Sequence, residues 1–426
     1  MTAEKINLTK DVFGISRDLP LSYTQRKNVD DRFMELGRDK HIVLFGSSKQ
    51  GKTCLRKARL SEDEYIVVHC SNAWDILDLN AAILKQAGYK LTQSTTKTEK
   101  GKNKVLASFA ASVFGIGSKI EGEKETEHQT TTVLNSLELD LEDVNDVILA
   151  LREMGFNKYI VLEDFHYLKT ETQKDFSVQL KAFHENSKLC FIIVGVWLEE
   201  NRLIVYNGDL TGRVAPINVD HWSPEELREV IVTGEQLLNI TFSDQFKDEI
   251  VSKCQESVYV LQEVCYQTCL EQGIQQTQDT NKEVSNTKSI NDMIREIVNQ
   301  QSGRYNSFLR QFADGFQDTV LKMHKWILLL VLISDIEQLE KGIRYSEIRK
   351  TLEDHHPRGE NLNSGNVTQA LQSTASLQIK HNVKPIVLDY DESALRLHVV
   401  DRGFLLWLNY QDRQELLNEL GLPSST

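Results

Sequence analysis

The fold class predicted by the sequence is a three-layer α/β sandwich with a mostly parallel sheet, followed by a small helical domain and a C-terminal winged-helix domain. Three observations predict it. Apolar runs at 42–45, 65–69, 159–162, 191–194 and 214–219 alternate with helical patterns, and strands apolar on both faces need helices above and below them. A helix start at Ser223-Pro224-Glu225-Glu226 opens a mainly helical segment. In the final third, three helical patterns precede two short strand patterns joined by a turn.

The first strand, Ile42–Phe45, runs directly into Gly46-Ser47-Ser48-Lys49-Gln50-Gly51-Lys52-Thr53. Gly-x4-Gly-Lys-Thr after a strand and before a helix is a phosphate-binding loop. Gly46 and Gly51 accept the positive φ values that turn successive N–H groups onto an anion, Lys52 adds a point charge, and Thr53 adds a hydroxyl for Mg²⁺. The helix beginning near Lys52 points the positive end of its dipole at the same anion, and Cys54 follows in its first turn.

Composition bounds the rest. A chain of 426 residues with 40% apolar content supports two or three packed domains. The net charge of −13 argues against a protein that coats nucleic acid or anionic membrane through its overall field, so any nucleic-acid contact must be local. Six scattered cysteines, with no C-x2-C pair, read as reduced core residues of a cytoplasmic protein. Cys265 and Cys269 share a helix face, but no second pair completes a zinc site. Met1–Lys5 lacks the layout of a secretion signal, and the longest apolar run, Trp326–Ile333, falls far short of the ~20 residues of a membrane span. It reads as a buried helix.

The interval between the second and third strands is long, with a Lys-rich stretch at 95–104, an apolar piece at 105–117 and a polar piece at 121–132. Residues 91–139 therefore read as an insertion, a hairpin or helix that packs back on its own domain or docks elsewhere. After Ser223, helices are expected over 225–238, 244–254 and 260–272. The Gln/Thr/Asn-rich stretch 275–287 is expected to be a solvated linker. Helices at 325–334, 345–352 and 364–377, then strands at 385–390 and 395–400, make the winged helix. The expected domains are 1–222, 223–290 and 291–426.

A second candidate feature is Ile160-Val161-Leu162-Glu163-Asp164, an apolar strand ending in two carboxylates. Acids at the carboxyl end of a buried strand stand where phosphates bind in open α/β sheets, one suited to the Mg²⁺ shell and one to orienting water. His166 follows, either near the phosphate or bonded to backbone as a loop histidine.

The order of phosphate loop, insertion, Ile-Val-Leu-Glu-Asp, the strand Phe191–Gly195, Arg213, helical domain and winged helix resembles the AAA+ and STAND-type P-loop ATPases, notably the origin-recognition-like branch, over about residues 20–410. The resemblance implies ATP and Mg²⁺ as ligands. Gly46 to Cys54 and, against the adenine, Tyr23 and Arg26 would form the binding set; Thr53, Glu163 and Asp164 would be the metal set. Tyr23 and Arg26 could equally belong to a docking strand. Arg213 would reach the γ-phosphate of a neighbouring subunit, or else cap a helix end. The family order is Asp then Glu or Asp, whereas this chain has Glu163 then Asp164 and lacks a lid arginine around Ser257–Leu261, departures that suit a slow switch. Partners would be a homo-oligomer or an effector protein. DNA is less favoured because the third helix, 364–377, carries no Lys or Arg and only Lys380, His381 and Lys384 lie near it.

Overall fold

The computed structural model describes residues 6–14, 18–97, 103–113, 131–316 and 321–423. Parts of the expected polar and apolar pieces of the insertion lie outside them, as does Met1–Lys5. Among the described residues eight strands precede the helical segment: β1 (His41–Phe45), β2 (Tyr65–His69), β3 (Lys90–Lys97), β4 (Asn103–Val113), β5 (Thr131–Leu139), β6 (Tyr159–Glu163), β7 (Phe191–Val194) and β8 (Val214–Asn218).

Five of them form one parallel sheet in the order β2-β6-β7-β1-β8. Alternate residues face opposite ways. Val43, Phe45, Ile160, Leu162, Phe191 and Ile193 pack against helices Ile76–Ala87, Val144–Glu153 and Thr170–Asn186. Ile42, Leu44, Val161, Ile192 and Val194 face the other layer, with Val29, Phe33 and Leu55. This is the expected three-layer sandwich with a parallel sheet. On the first face, Phe176 touches Phe165, Phe183 and Phe191 at centroid distances of 5.7, 6.4 and 5.4 Å.

The insertion is a separate antiparallel sheet, β3-β4-β5, so of the two expected forms it takes the hairpin, widened to three strands, and not the helix. Its Ala107, Phe109 and Leu139 join the first-face core, with Phe109 edge-on to Tyr89 at 5.1 Å.

The helical segment opens as its capping signal requires. Ser223 accepts the Glu226 N–H, Glu226 accepts the Ser223 N–H, and Pro224 stands in the first turn of Pro224–Leu238. Helices Asp244–Lys253 and Val258–Glu271 follow. Residues 275–287 are not a free linker. Their strand β10 (Lys282–Val284) pairs in parallel with β9 (Ile240–Phe242), and Thr277 and Asn7 exchange hydrogen bonds. The backbone of this stretch and Thr277 are held by the helical segment and the N-terminal segment, while most of its polar side chains remain exposed.

The C-terminal unit has helices Met323–Ile333 and Tyr345–His355, then Ser364–Gln372 and Thr374–Lys380 where one helix was expected. The break falls at Ser373. Its hydroxyl and that of Thr374 both donate back to the Ala370 carbonyl, the local competition that weakens a helix interior. The strands are β11 (Ile343–Arg344), β12 (Leu388–Asp391) and β13 (Arg396–Val399), in the order β11-β13-β12. Two further helices, Arg402–Asn409 and Arg413–Glu419, close the chain. One continuous apolar core runs from Phe13 through the helical segment into this unit. All six cysteines are free, and five are buried. Among the described residues no helix is long and apolar enough to cross a membrane.

The aromatic cluster dominates the first face. Phe176→Ala should therefore cost about 3–5 kcal/mol, read as a fall in the denaturant midpoint at unchanged slope; a loss under about 1 kcal/mol would show that these rings are not packed as a unit.

Candidate functional site

Parallel strands bring their carboxyl ends to one edge. β1 and β6 are separated by β7 alone, so the loop after Phe45 and the acids after Leu162 open side by side. Among the described residues one cavity of about 340 Å³ takes in both: Ser48 to Cys54 line it together with Glu163, Asp164 and His166.

The loop has the backbone that the motif requires. Gly46 and Gly51 have φ of +138° and +89°, and Gly51 starts the helix Lys52–Arg59. A Cβ on Gly46 would lie 3.1 Å from the Asp220 amide nitrogen and 3.2 Å from the Asp220 Cβ. Lys49 also lies in the left-handed region, at +63°. The Lys52 ammonium donates to the carbonyls of Gly46 and Ser47 at 2.8 and 2.7 Å inside the loop. Burial pushes its pKa down to about 8, although Asp220, Glu163 and Asp164 favour the charged form.

The acid pair is asymmetric. Glu163, 8% exposed at the end of β6, accepts from Arg56 at 3.3 Å; Arg56 is on the helix that leaves the phosphate loop. Burial raises the pKa of Glu163 and Arg56 opposes this. Asp164 is set on a left-handed backbone, φ +60°, and turns from strand into a short 3₁₀ turn. Burial raises its pKa too, against the pull of His69, Lys384 and Lys52. His166 Nδ1 accepts the Val196 N–H at 3.3 Å and burial holds the ring neutral, which is the backbone-bonded alternative.

The cavity is also lined by Pro20, Tyr23, Arg26, Trp222 and Val230, with Val258, Tyr259 and Gln262 from the helix Val258–Glu271. Tyr23 donates to Asp30 at 2.6 Å, and Arg26 donates to the Val219 carbonyl at 2.8 Å and lies 4.1 Å over Trp222. Tyr23 and Arg26 thus form a wall of the cavity, with Arg26 1% exposed and its Nε buried without a hydrogen-bond partner.

Arg213 lies elsewhere. Its carbonyl accepts the His41 N–H at the amino end of β8, the sheet edge opposite the phosphate loop, and its guanidinium pairs with Glu185 at 2.7 Å. The chain does not bring Arg213 into its own cavity.

Sequence reasoning missed the groups that hold the loop. The Ser47 N–H donates to Asp220 at 2.7 Å; Asp220 pairs with Arg402 at 2.9 Å; Arg402 donates to the Gln255 carbonyl at 3.0 Å. Burial would raise the pKa of Asp220, but Arg402 and Ser47 more than offset it and hold the carboxyl below its ordinary range. The Ser48 N–H donates to the Val400 carbonyl at 3.4 Å, and Gln50 donates to the Glu256 carbonyl at 3.1 Å. Helical segment and C-terminal unit therefore both touch the loop. Asp220 and Arg402 are far apart in sequence and lie in no motif, so nothing in their spacing signals the contact. Lys380 and His381 donate to or bond the carbonyls of Phe316 and Gly315, and Lys384 lies 4.3 Å over Tyr167.

The donor set fits a magnesium nucleotide. Thr53, Glu163 and Asp164 supply the hard oxygen atoms that Mg²⁺ takes beside phosphate, and Lys52 with the loop amides supplies the anion cradle.

No family model and no curated protein matches the chain. Among solved structures it is similar to the Walker-type ATPase paby2304 of Pyrococcus abyssi, with 14% identity and a TM-score of 0.52 over 93% of this chain and 99% of that one. It also aligns with the Aeropyrum pernix ORC2 protein, at 13% identity over 96% and 97% of the two chains with a TM-score of 0.44. For the Aeropyrum pernix ORC1 protein in complex with DNA the values are 12%, 99%, 98% and 0.43. The chain shares its fold with that Walker-type ATPase, a parallel sheet flanked by helices with a largely helical C-terminal region.

Proposed function

We propose that the protein is an ATP-binding, slowly hydrolysing molecular switch whose nucleotide state is coupled to the contact between the phosphate loop and the C-terminal unit. One observation carries this reading: Lys52, Thr53, Glu163 and Asp164 line a single cavity whose lining also includes the aromatic and apolar side chains a base needs, among them Tyr23, Trp222 and Val230. Adenine would lie toward Tyr23, Arg26 and Trp222, and the phosphates would lie on the amides of 48–53 and the Lys52 ammonium. Thr53 with Glu163 or Asp164 would hold Mg²⁺, which when bound neutralises charge on the transferring phosphoryl group. Asp164 is the better candidate to orient water, because Glu163 is held by Arg56. A short carboxylate there, with Glu163 partly neutralised, supports slow turnover.

The switch reading rests on the loop's engagement by Asp220, Arg402 and Val400. A phosphate taken up by the loop would compete with the Val400 carbonyl for the Ser48 N–H. The domains proposed are the core at 1–222, a lid at 223–290 and a winged helix at 291–426. The helix Thr374–Lys380 and the segment after it lay Ile379 and Ile386 on Tyr167 and Val196 of the core, and this apolar contact favours a regulatory role over groove reading. Arg213 enters this scheme only across a subunit boundary, in a homo-oligomer.

Phosphate release from ATP should be measurable and slow in the wild type. Lys52→Ala and Asp164→Asn should lower it by about 10²-fold or more; equal rates in all three would remove the enzyme from the reading. Lys52 binds phosphate as the ammonium. Below about 8 the free protein already carries that proton; above it the proton must be recovered on binding, so ATP affinity should fall as pH rises past about 8. Lys52→Met should lose that slope in titrations of a fluorescent ATP analogue. Arg402→Ala should speed nucleotide exchange; an unchanged rate would disconnect the C-terminal unit from the site.

A further inference from the structure

Lys49 sits at the crest of the phosphate loop in a left-handed conformation, φ +63°, that a glycine would adopt without strain. Strain of this kind persists where surrounding structure enforces it, and it concentrates at ligand clamps. Among the described residues Lys49 makes no ion pair or hydrogen bond: its ammonium lies 3.7 Å over the ring of Tyr259, in the first turn of the helix Val258–Glu271. Both side chains line the cavity that holds Lys52, Thr53 and Asp164. The remaining lining from that helix is Val258 and Gln262, so the helical segment brings no cation to the site.

A triphosphate carries more negative charge than Lys52 balances. Among the described residues the other cations lining the cavity are Arg26, which donates to the Val219 carbonyl and stacks on Trp222, and Lys49. We propose that Lys49 determines specificity for the nucleoside triphosphate over the diphosphate, exchanging the Tyr259 ring for the terminal phosphate and thereby releasing the tether between loop and lid. The inference rests on the nucleotide site proposed above. An ammonium over an aromatic face is held weakly, whereas a charge-assisted hydrogen bond to phosphate is strong and depends on the terminal group being there. A diphosphate offers no such partner at that point, and Lys49 stays on Tyr259. The cation that discriminates the outer phosphate thus comes from the loop itself, and Tyr259 serves as its resting place.

The test is calorimetric titration of the full chain with a non-hydrolysable ATP analogue and with ADP, both with Mg²⁺. Lys49→Ala should weaken the analogue about tenfold or more, the equivalent of one charge-assisted bond, and leave ADP within about threefold. Lys49→Gly should show the same selective loss with a melting temperature no lower than wild type, which separates lost charge from a collapsed loop. Lys49→Arg should keep the preference. Tyr259→Leu should bind the analogue at least as well as wild type. Equal losses for both nucleotides, or no loss, in Lys49→Ala and Lys49→Gly would overturn the inference, as would a tenfold loss of the analogue alone in Tyr259→Leu. Wild-type protein that bound neither nucleotide would instead overturn the nucleotide site itself.

Discussion

The parallel pairing of β1, β7 and β6 is the constraint from which the rest follows. Because all three strands run the same way, the loop after Phe45 and the acids after Leu162 must leave the sheet at the same edge. With one strand between them the two exits are about 10 Å apart, twice the strand spacing. That gap is large enough for phosphates and a hydrated cation but too small for the loop lysine and the carboxylates to ignore each other. The depressed pKa of Lys52 and the raised ones of Glu163 and Asp164 are consequences of placing these charges in a partly dry crevice.

Four cations in and around the site have partners of different kinds. Lys52 is held by two carbonyls, Lys49 by a ring, Arg56 by Glu163, and Arg402 by Asp220. These partners differ in how readily they yield. A carbonyl or an aromatic face is neutral and gives way to an anion, whereas a buried carboxylate does not, since separating such a pair leaves a charge uncompensated. Among these four, Lys52 and Lys49 have the partners that yield more readily, while Arg56 and Arg402 hold structure around them.

Much of this was legible in the sequence. The five core strands, the phosphate loop, the acid pair and the Ser223 cap are local patterns, in which a few adjacent residues carry the whole signal. What was not legible depends on distant pairing. The insertion's three strands are only partly apolar, and their alternation is weak until β4 is seen between β3 and β5. The stretch 275–287 has the composition of a linker, but β9 and Asn7 supply its hydrogen bonds. The break at Ser373 needs Thr374 and Ala370 in one turn to compete with the helix, and a period count passes over it. Arg56 was hidden because it faces Glu163 from another element.

The contacts between loop and C-terminal unit have a geometric origin. Asp401 caps the helix Arg402–Asn409 by accepting the Phe404 N–H, which leaves Arg402 at the helix start and aimed at Asp220. The preceding residue, Val400, has its own N–H tied to the Val387 carbonyl and offers its carbonyl to Ser48. Arg304 pairs with Asp401 from the helix Ser302–Asp314, so the cap is braced from behind. On the core side Arg202 reaches Asp389 of β12 while also pairing with Glu199. These contacts tie the C-terminal unit to the loop that reads phosphate and to the segment after β7. Val400 and Arg402 both stand at the same helix start, so the two contacts to the loop share one support. Packed elements joined in this way change by stepping between arrangements and not by gradual bending.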